Sequence, residues 1–408
     1  MFQSLMRALA AALNCLSKLS SGRLFSLSTA ASTDTDSCPG WKPAVATVSL
    51  GVASMHSFEA KIDAVAKNGL QGIELFYDDL VQVAHALREE DRKRGRGQGS
   101  GEEIDRKGEV EEEEDEEEAT AWAYEITAAH KIRELCQQRK IAIISLQPFR
   151  NYEGILDPTE RANRIRELRH WIELAGILGD EEKEKDKGSI SILIPSSFLP
   201  ASQTTGDQDR LAADLALAAD LAFPTRIAYE ALAWGTHVHT WERSWEVIRR
   251  ANRGNLGVCL DSFNIAARVW ADPRAPTGCR GADGAQALEQ SLQRLVREIR
   301  DPARVFAMQI ADGERVDPAA PFLHLEDQSP LLGWSRNARL FPFEEERGGY
   351  LPIRQVTDVL LRGLRYRGWV SMEVFTRTTH DARPSVPEEH AARAGEAWRR
   401  MMASLRDS

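Results

Sequence analysis

Along the chain, apolar runs of four to eight residues alternate with longer stretches in which apolar side chains return every three to four positions. The short runs read as buried strands and the longer stretches as amphipathic helices. AVATVSLG (44–51) opens the series and GIELFY (72–77) follows. Between them, residues 57–68 have helical spacing with Ser57 as N-cap. The pattern then gives helix 121–139, strand 141–148, helix 158–178, strand 189–195, helix 207–222, strand 226–232 and helix 240–252. It continues with strand 256–263, helix 284–299, strand 303–312, helix 353–363, strand 369–375 and helix 386–405. Alternating units of this kind predict a parallel sheet with right-handed crossovers. Eight strands over a core of roughly 250 residues predict an α/β fold of the closed (β/α)8 TIM-barrel type. The competing open, doubly wound sheet lacks its G-x-G-x-x-G turn after the first strand.

Three segments stand outside the alternation. Residues 1–40 are rich in Ser, Ala and Leu, carry Arg7, Lys18 and Arg23, and have no acidic side chain before Asp34. That is the composition of a mitochondrial transit peptide or of a disordered extension. One catalytic domain is then expected over 43–406, interrupted by an acidic insert at about 90–119. Residues 88–118 hold 15 acidic and 7 basic side chains, most of the chain's net charge of −10, so the acidity says little about an active site. The insert is too polar to offset its ordering entropy and is expected to be disordered, its last acidic residues being able to extend the following helix. A second charged insert, DEEKEKDKG, covers 180–188.

Composition narrows the partners. A 42% hydrophobic and 28% charged chain is ordinary for a soluble domain. No run of eighteen apolar residues occurs, so no membrane span is expected. No basic patch with interleaved aromatics occurs, which argues against nucleic acid. Cys15, Cys38, Cys136, Cys259 and Cys279 include no C-x-x-C pair and read as reduced thiols. A cytoplasmic location follows, with the mitochondrion as the alternative that the N-terminus raises. The sequence fixes no oligomeric state.

Four strand ends carry the chemistry. RIAYEAL, LGVCLDSF, VFAMQIAD and WVSMEVF place Glu230, Asp261, Gln309 and Glu373 at or near the C-terminal ends of successive strands. A buried carboxylate needs a partner, and barrel active sites lie at this rim. Adjacent strands are about 4.8 Å apart, so the four can share one ion. An all-oxygen donor set favours Mg2+ or Mn2+, with Co2+ as a substitute. Glu74, ending the second strand, shares that face and is a candidate to orient a ligand or a neighbouring arginine.

CLDSFNIAARVWADP, IELFYDDL, LQPFRNYEG, YEALAWGTHV, WSRNARLFP and GWVSMEVF together resemble the 3-dehydroshikimate dehydratases of the fungal quinate pathway, within the xylose isomerase-like barrel superfamily. The resemblance runs from about Pro43 to Met402, inserts apart. It implies that Glu230, Asp261, Gln309 and Glu373 bind a divalent metal, and that the reaction removes water from 3-dehydroshikimate, giving protocatechuate. One departure stands out: bacterial relatives often read D-x-x-H after the sixth strand, with the histidine assigned to catalysis, and here Asp261 is followed at that spacing by Asn264. For such a reaction His237, just past the fifth strand, is the first candidate for general base and His239 the second. A carboxylate substrate calls for guanidinium. Arg150, after strand three, and Arg336, in the loop after strand seven, are placed for it ahead of Arg339. Trp234, Phe149 and Trp334 are candidates to wall the pocket. The small anionic substrate is the expected partner. A sugar isomerase or epimerase of the same superfamily, a DNA-repair endonuclease and a catalytically inactive barrel acting as a binding module compete with this reading. The endonuclease would need a histidine-rich cluster and basic loops, and the nine histidines are scattered.

Overall fold

A computed structural model describes residues 40–96, 110–179 and 190–406. Eight parallel strands close into a barrel: β1 (Trp41–Ala46), β2 (Gly72–Phe76), β3 (Ala142–Gln147), β4 (Ser191–Pro195), β5 (Arg226–Glu230), β6 (Leu256–Asp261), β7 (Val305–Gln309) and β8 (Gly368–Met372). Each pairs with its sequence neighbours, and β8 closes the ring on β1 through Trp41 opposite Gly368 to Val45 opposite Met372. The eight-strand barrel is the architecture that the strand–helix alternation predicts.

Helices α1 (Phe58–Lys67), α2 (Tyr77–Arg96), α3 (Val110–Gln138), α4 (Pro158–Leu178), α5 (Gln208–Ala222), α6 (Trp241–Ala251), α7 (Ser262–Val269), α8 (Gly281–Glu298), α9 (Pro330–Ala338), α10 (Ile353–Asp358) and α11 (Val386–Arg406) surround or cap the sheet. Their starts obey local chemistry. Ser57 accepts from the Ala60 N–H, Asp157 caps α4 with Pro158 at its first position, and Asp207 caps α5. The main core lies between sheet and helices. Inside the barrel a smaller cluster, Leu193, Ala228 and Cys259, plugs the lumen.

Several boundaries differ from the sequence reading. The first strand ends at Ala46 and gives way to a short 3-10 turn, Thr47–Leu50. Strand six stops at Asp261, because that residue is at once a strand end and the N-cap of α7, a helix the pattern did not show. Helix α2 also follows its strand without a turn signal. Much of the expected disorder at 90–119 is helix instead: α2 runs to Arg96 and α3 starts at Val110, while 97–109 lie outside the described residues. Glu, Lys and Arg are good helix formers. The two helices also pair across their contact, Arg88 with Glu117 at 3.6 Å and Tyr124 with Asp91 at 3.3 Å. The N-terminal extension and the second charged insert also fall outside the described residues. No described helix is long and apolar enough to cross a membrane.

Candidate metal centre and cleft

Side chains alternate across a strand, so Tyr229 leaves the barrel outward while Glu230 enters the lumen. Glu230, Asp261 and Glu373 bring ligand-capable oxygens within 4.8 Å of one another, and all three residues are buried. Glu373 lies one residue past the end of β8. Burial and mutual repulsion push the Glu230 carboxyl well above the ordinary range, and burial pushes Glu373 up to about 8. Asn264, one turn into α7, donates from Nδ2 to Glu230 Oε1 at 2.7 Å and to Asp261 Oδ2 at 2.8 Å. Its Oδ1 accepts from the Ala233 N–H at 3.0 Å. One neutral amide therefore clamps two of the three carboxylates.

Arg339 is the counter-charge within the group. It is 1% exposed, and its Nη1 donates to Asp261 Oδ2 at 2.9 Å and to Glu373 Oε2 at 3.2 Å. Burial works against its charge, yet Asp261 and Glu373 hold its pKa above the usual guanidinium value. Ser335 Oγ accepts from its Nε, and the rings of Phe263 and Phe375 lie under its plane. Gln309 reaches across the lumen, its Nε2 donating to both oxygens of Glu74 at 3.2 and 3.1 Å. That contact turns Oε1 away from Glu74, towards a weak 3.5 Å contact from the Cys259 thiol. Burial raises the Glu74 carboxyl too.

Counting Glu74, four buried carboxylates face one buried guanidinium. Unpaired buried charge is costly, and a divalent cation held by Glu230, Asp261 and Glu373, with Gln309 beside them, meets that deficit with hard oxygen donors. The residues present fit such an ion.

Beside the carboxylates opens a narrow cleft lined among others by Phe76, Gln147, Arg150, Trp234, Arg336 and Phe375. Arg150 lies over the Phe76 ring at 5.6 Å and Arg336 over Phe375 at 5.7 Å. Among the described residues neither guanidinium has a hydrogen-bonded carboxylate. Burial lowers Arg150 from the usual guanidinium value, and partial burial at the cleft together with the Arg150 charge lowers Arg336.

The structure thus brings Glu230, Asp261, Glu373, Arg150, Arg336 and Trp234 to one place, with Glu74 and Gln309 beneath. His237 is elsewhere. It sits in the loop after β5 with Nε2 3.1 Å from Thr204 Oγ1, and it is not part of the cleft wall. Neither is His239, whose pKa burial lowers. Phe149 and Trp334 are buried in the core, packing on Trp171 and Phe263 respectively. Sequence reasoning missed the ion-pairing of Arg339, the clamp made by Asn264, and Gln147. The Asp261-to-Asn264 spacing, an N-cap with an amide three residues on, was the signal available for the clamp.

A carboxylate cluster at the C-terminal rim of a closed parallel barrel defines a class, that of barrel proteins with an acidic cation-type site. Within that class the chain belongs to the xylose isomerase-like TIM barrel family, whose model matches residues 62–406. It also belongs with the 3-dehydroshikimate dehydratases, a group of hydro-lyases: the Neurospora crassa enzyme of that name is 38% identical over 374 residues, covering 90% of this chain and 94% of the relative. A Pseudomonas aeruginosa protein of the same name is 28% identical, over 81% of this chain but only 37% of its own length. Among known structures, a xylose isomerase-like TIM barrel/4-hydroxyphenylpyruvate dioxygenase fusion protein superposes with a TM-score of 0.59 at 24% identity, over 90% of this chain and 43% of its own. The IOLI protein with a binding zinc atom gives 0.53 at 15% identity, over 90% and 98%. Both structural likenesses speak for the fold.

Proposed function

We propose that this protein removes water from 3-dehydroshikimate to give protocatechuate, with a divalent cation at Glu230, Asp261 and Glu373 and with Gln309 as the fourth ligand. The observation that carries the reading is an acidic cluster and, on the same cleft, two guanidiniums with no hydrogen-bonded carboxylate among the described residues. The substrate has the matching polarity, with a ketone and a carboxylate on the same six-membered ring, 1,3 to each other. A cation bound by the cluster supplies Lewis-acid stabilisation of the charge that develops on a ketone oxygen.

The chain's own residues do the rest. Arg150 and Arg336 hold the carboxylate and so set the direction of the ring. Arg339 stays with Asp261 and Glu373, keeping the carboxylates apart and their lone pairs aimed. Glu74 orients Gln309. Phe76, Phe375 and Trp234 give the ring apolar walls and exclude water. A base must take the ring proton that the ketone acidifies. Glu230 and Glu373 are the Brønsted bases lining the cleft, so the proton goes to one of these two, with His237 outside the wall. Loss of the neighbouring hydroxyl and enolisation then yield the aromatic ring. A sugar isomerase would also use two carboxylates, but an uncharged sugar leaves both arginines without a partner.

The test is incubation of the purified protein with Mn2+ and 3-dehydroshikimate, following the absorbance of the aromatic product. Turnover that a chelator abolishes and Mg2+, Mn2+ or Co2+ restores is expected. No aromatic product with any of the three ions overturns the reading.

A further inference from the structure

Gln147 ends β3 opposite Phe76 of β2 and lines the cleft. It is 1% exposed, and neither its Oε1 nor its Nε2 has a hydrogen-bond partner among the described residues. A buried amide with neither end satisfied destabilises a fold. It is therefore held for something that enters the cleft. Trp234 Nε1, on the same wall, is a second buried donor without an acceptor. The other polar groups there already have a use: the carboxylates are tied by Asn264 and Arg339, and the two free guanidiniums suit an anion.

A side-chain amide offers an N–H donor and a carbonyl acceptor side by side. The neutral group that uses both is a hydroxyl. We propose that Gln147 is a specificity-determining residue that grips a ring hydroxyl of the substrate, Nε2–H donating to its oxygen and Oε1 accepting its proton. The inference rests on the dehydratase reading and deepens it. Contacts at the ketone and at the carboxylate define an axis through the ring but leave rotation about that axis free. A third contact off the axis removes the rotation and decides which ring face meets the base. The departing hydroxyl needs a proton, which an amide does not supply. The hydroxyl that stays in the product, the one beside the ketone, is the suitable partner.

The experiment compares the wild type with Gln147→Leu, and with the unbranched Gln147→Met should Leu fail to fold. The substrates are 3-dehydroshikimate and its analogue lacking the hydroxyl beside the ketone. The variant should bind Mn2+ as the wild type does by calorimetric titration. It should melt at the same or a higher temperature, since an unsatisfied amide has gone. Its kcat/KM for 3-dehydroshikimate should fall about ten- to a hundredfold. Wild type should disfavour the deoxy analogue by a similar factor, and the variant should process the two within about threefold. Unchanged discrimination in folded variants overturns the role of Gln147 while leaving the dehydratase reading intact. Wild-type protein without turnover of 3-dehydroshikimate overturns the parent reading instead.

Discussion

The two halves of the barrel rim are built on opposite principles. From β5 to β8, three of the four strand ends place a carboxylate at or next to them, and each of these carboxylates is held by a neighbour. Asn264 ties Glu230 to Asp261, and Arg339 ties Asp261 to Glu373. At the ends of β3 and β4 the residues facing the cleft are neutral or apolar, Gln147, Pro148, Pro195 and Phe198, with the Arg150 guanidinium just beyond them. There the buried amide of Gln147 has no hydrogen-bond partner among the described residues. The charged half is a site whose internal strain of like charges is fixed before any ligand arrives, and the neutral half is a site whose polar capacity is kept in reserve. Preorganised electrostatics on one side and unspent hydrogen bonding on the other let the first half bind an ion and the second a ring.

The comparison breaks most severely at the carboxylates. Asp261→Ala or Glu373→Ala should lower turnover by about a thousandfold or more while far-ultraviolet circular dichroism stays native, because the ion is lost and the strand cores are not. Calorimetric titration with Mn2+ should show no binding in either variant. Retained binding would move the ion elsewhere. The raised Glu230 and Glu373 carboxyls add a pH dependence. A cation must displace protons from them, so affinity should weaken steadily as pH falls below about 8. The ion-free protein should show the opposite slope in stability. Its native state keeps protons that the unfolded chain has already released, so stability drops as pH climbs from about 4.5 towards 8. A melting temperature of chelated protein that rises over that window would contradict the raised pKa.

Asn264 sharpens the contrast without touching an ion directly. Asn264→Leu leaves Glu230 and Asp261 unclamped, and Mn2+ affinity should fall about ten- to a hundredfold, the scale of outer-shell losses at metal sites. Affinity unchanged within error would make the amide a structural link between α7 and the loop after β5 and no more.

Arg150 and Arg336 span the two halves. Replacing either by Lys keeps the charge and loses the two-pronged geometry. A loss of about 1–3 kcal/mol in transition-state binding, ten- to a hundredfold in kcat/KM, is expected with Mn2+ binding intact. If both variants keep wild-type kcat/KM, the substrate carboxylate lies elsewhere.

What the chain discloses before folding follows the same division. Strands and helices repeat with periods of two and 3.6, so the barrel and its eight rim positions could be read from pattern alone. Glu230, Asp261 and Glu373 were visible because a carboxylate ending an apolar run is conspicuous. Arg336 was put ahead of Arg339, because nothing in the sequence shows that Arg336 lies within α9 while Arg339 follows the end of that helix and turns in to the acids. Arg339 is 1% exposed between two acids and Arg336 is exposed at the cleft. Gln147 was invisible for a different reason: an amide ending a strand is unremarked until its neighbours turn out to satisfy none of it. The helical ends of the acidic insert were underestimated because composition was weighed without the pairing of α2 and α3.

The smallest expected effect concerns His237, which the sequence put forward as the base. Its loop follows β5, so the position on the functional face is right, and a histidine there draws the eye. In the structure Nε2 meets Thr204 Oγ1 at 3.1 Å, and a Cβ added at Gly206 would lie 2.8 Å from its Nδ1. Both contacts are to the loop after β4. Its plain role is to pin that loop to its neighbour. His237→Ala should therefore cost stability through one lost hydrogen bond, about 1 kcal/mol, and change kcat by less than about threefold. It should also leave the pH profile of kcat in place, which removal of a general base would not. Chemical denaturation and a pH–rate series on the same variant separate the two roles. A kcat lowered more than tenfold, with its pH dependence flattened, would mean that the loop turns the imidazole into the cleft when substrate binds and that the proton does not go to Glu230 or Glu373.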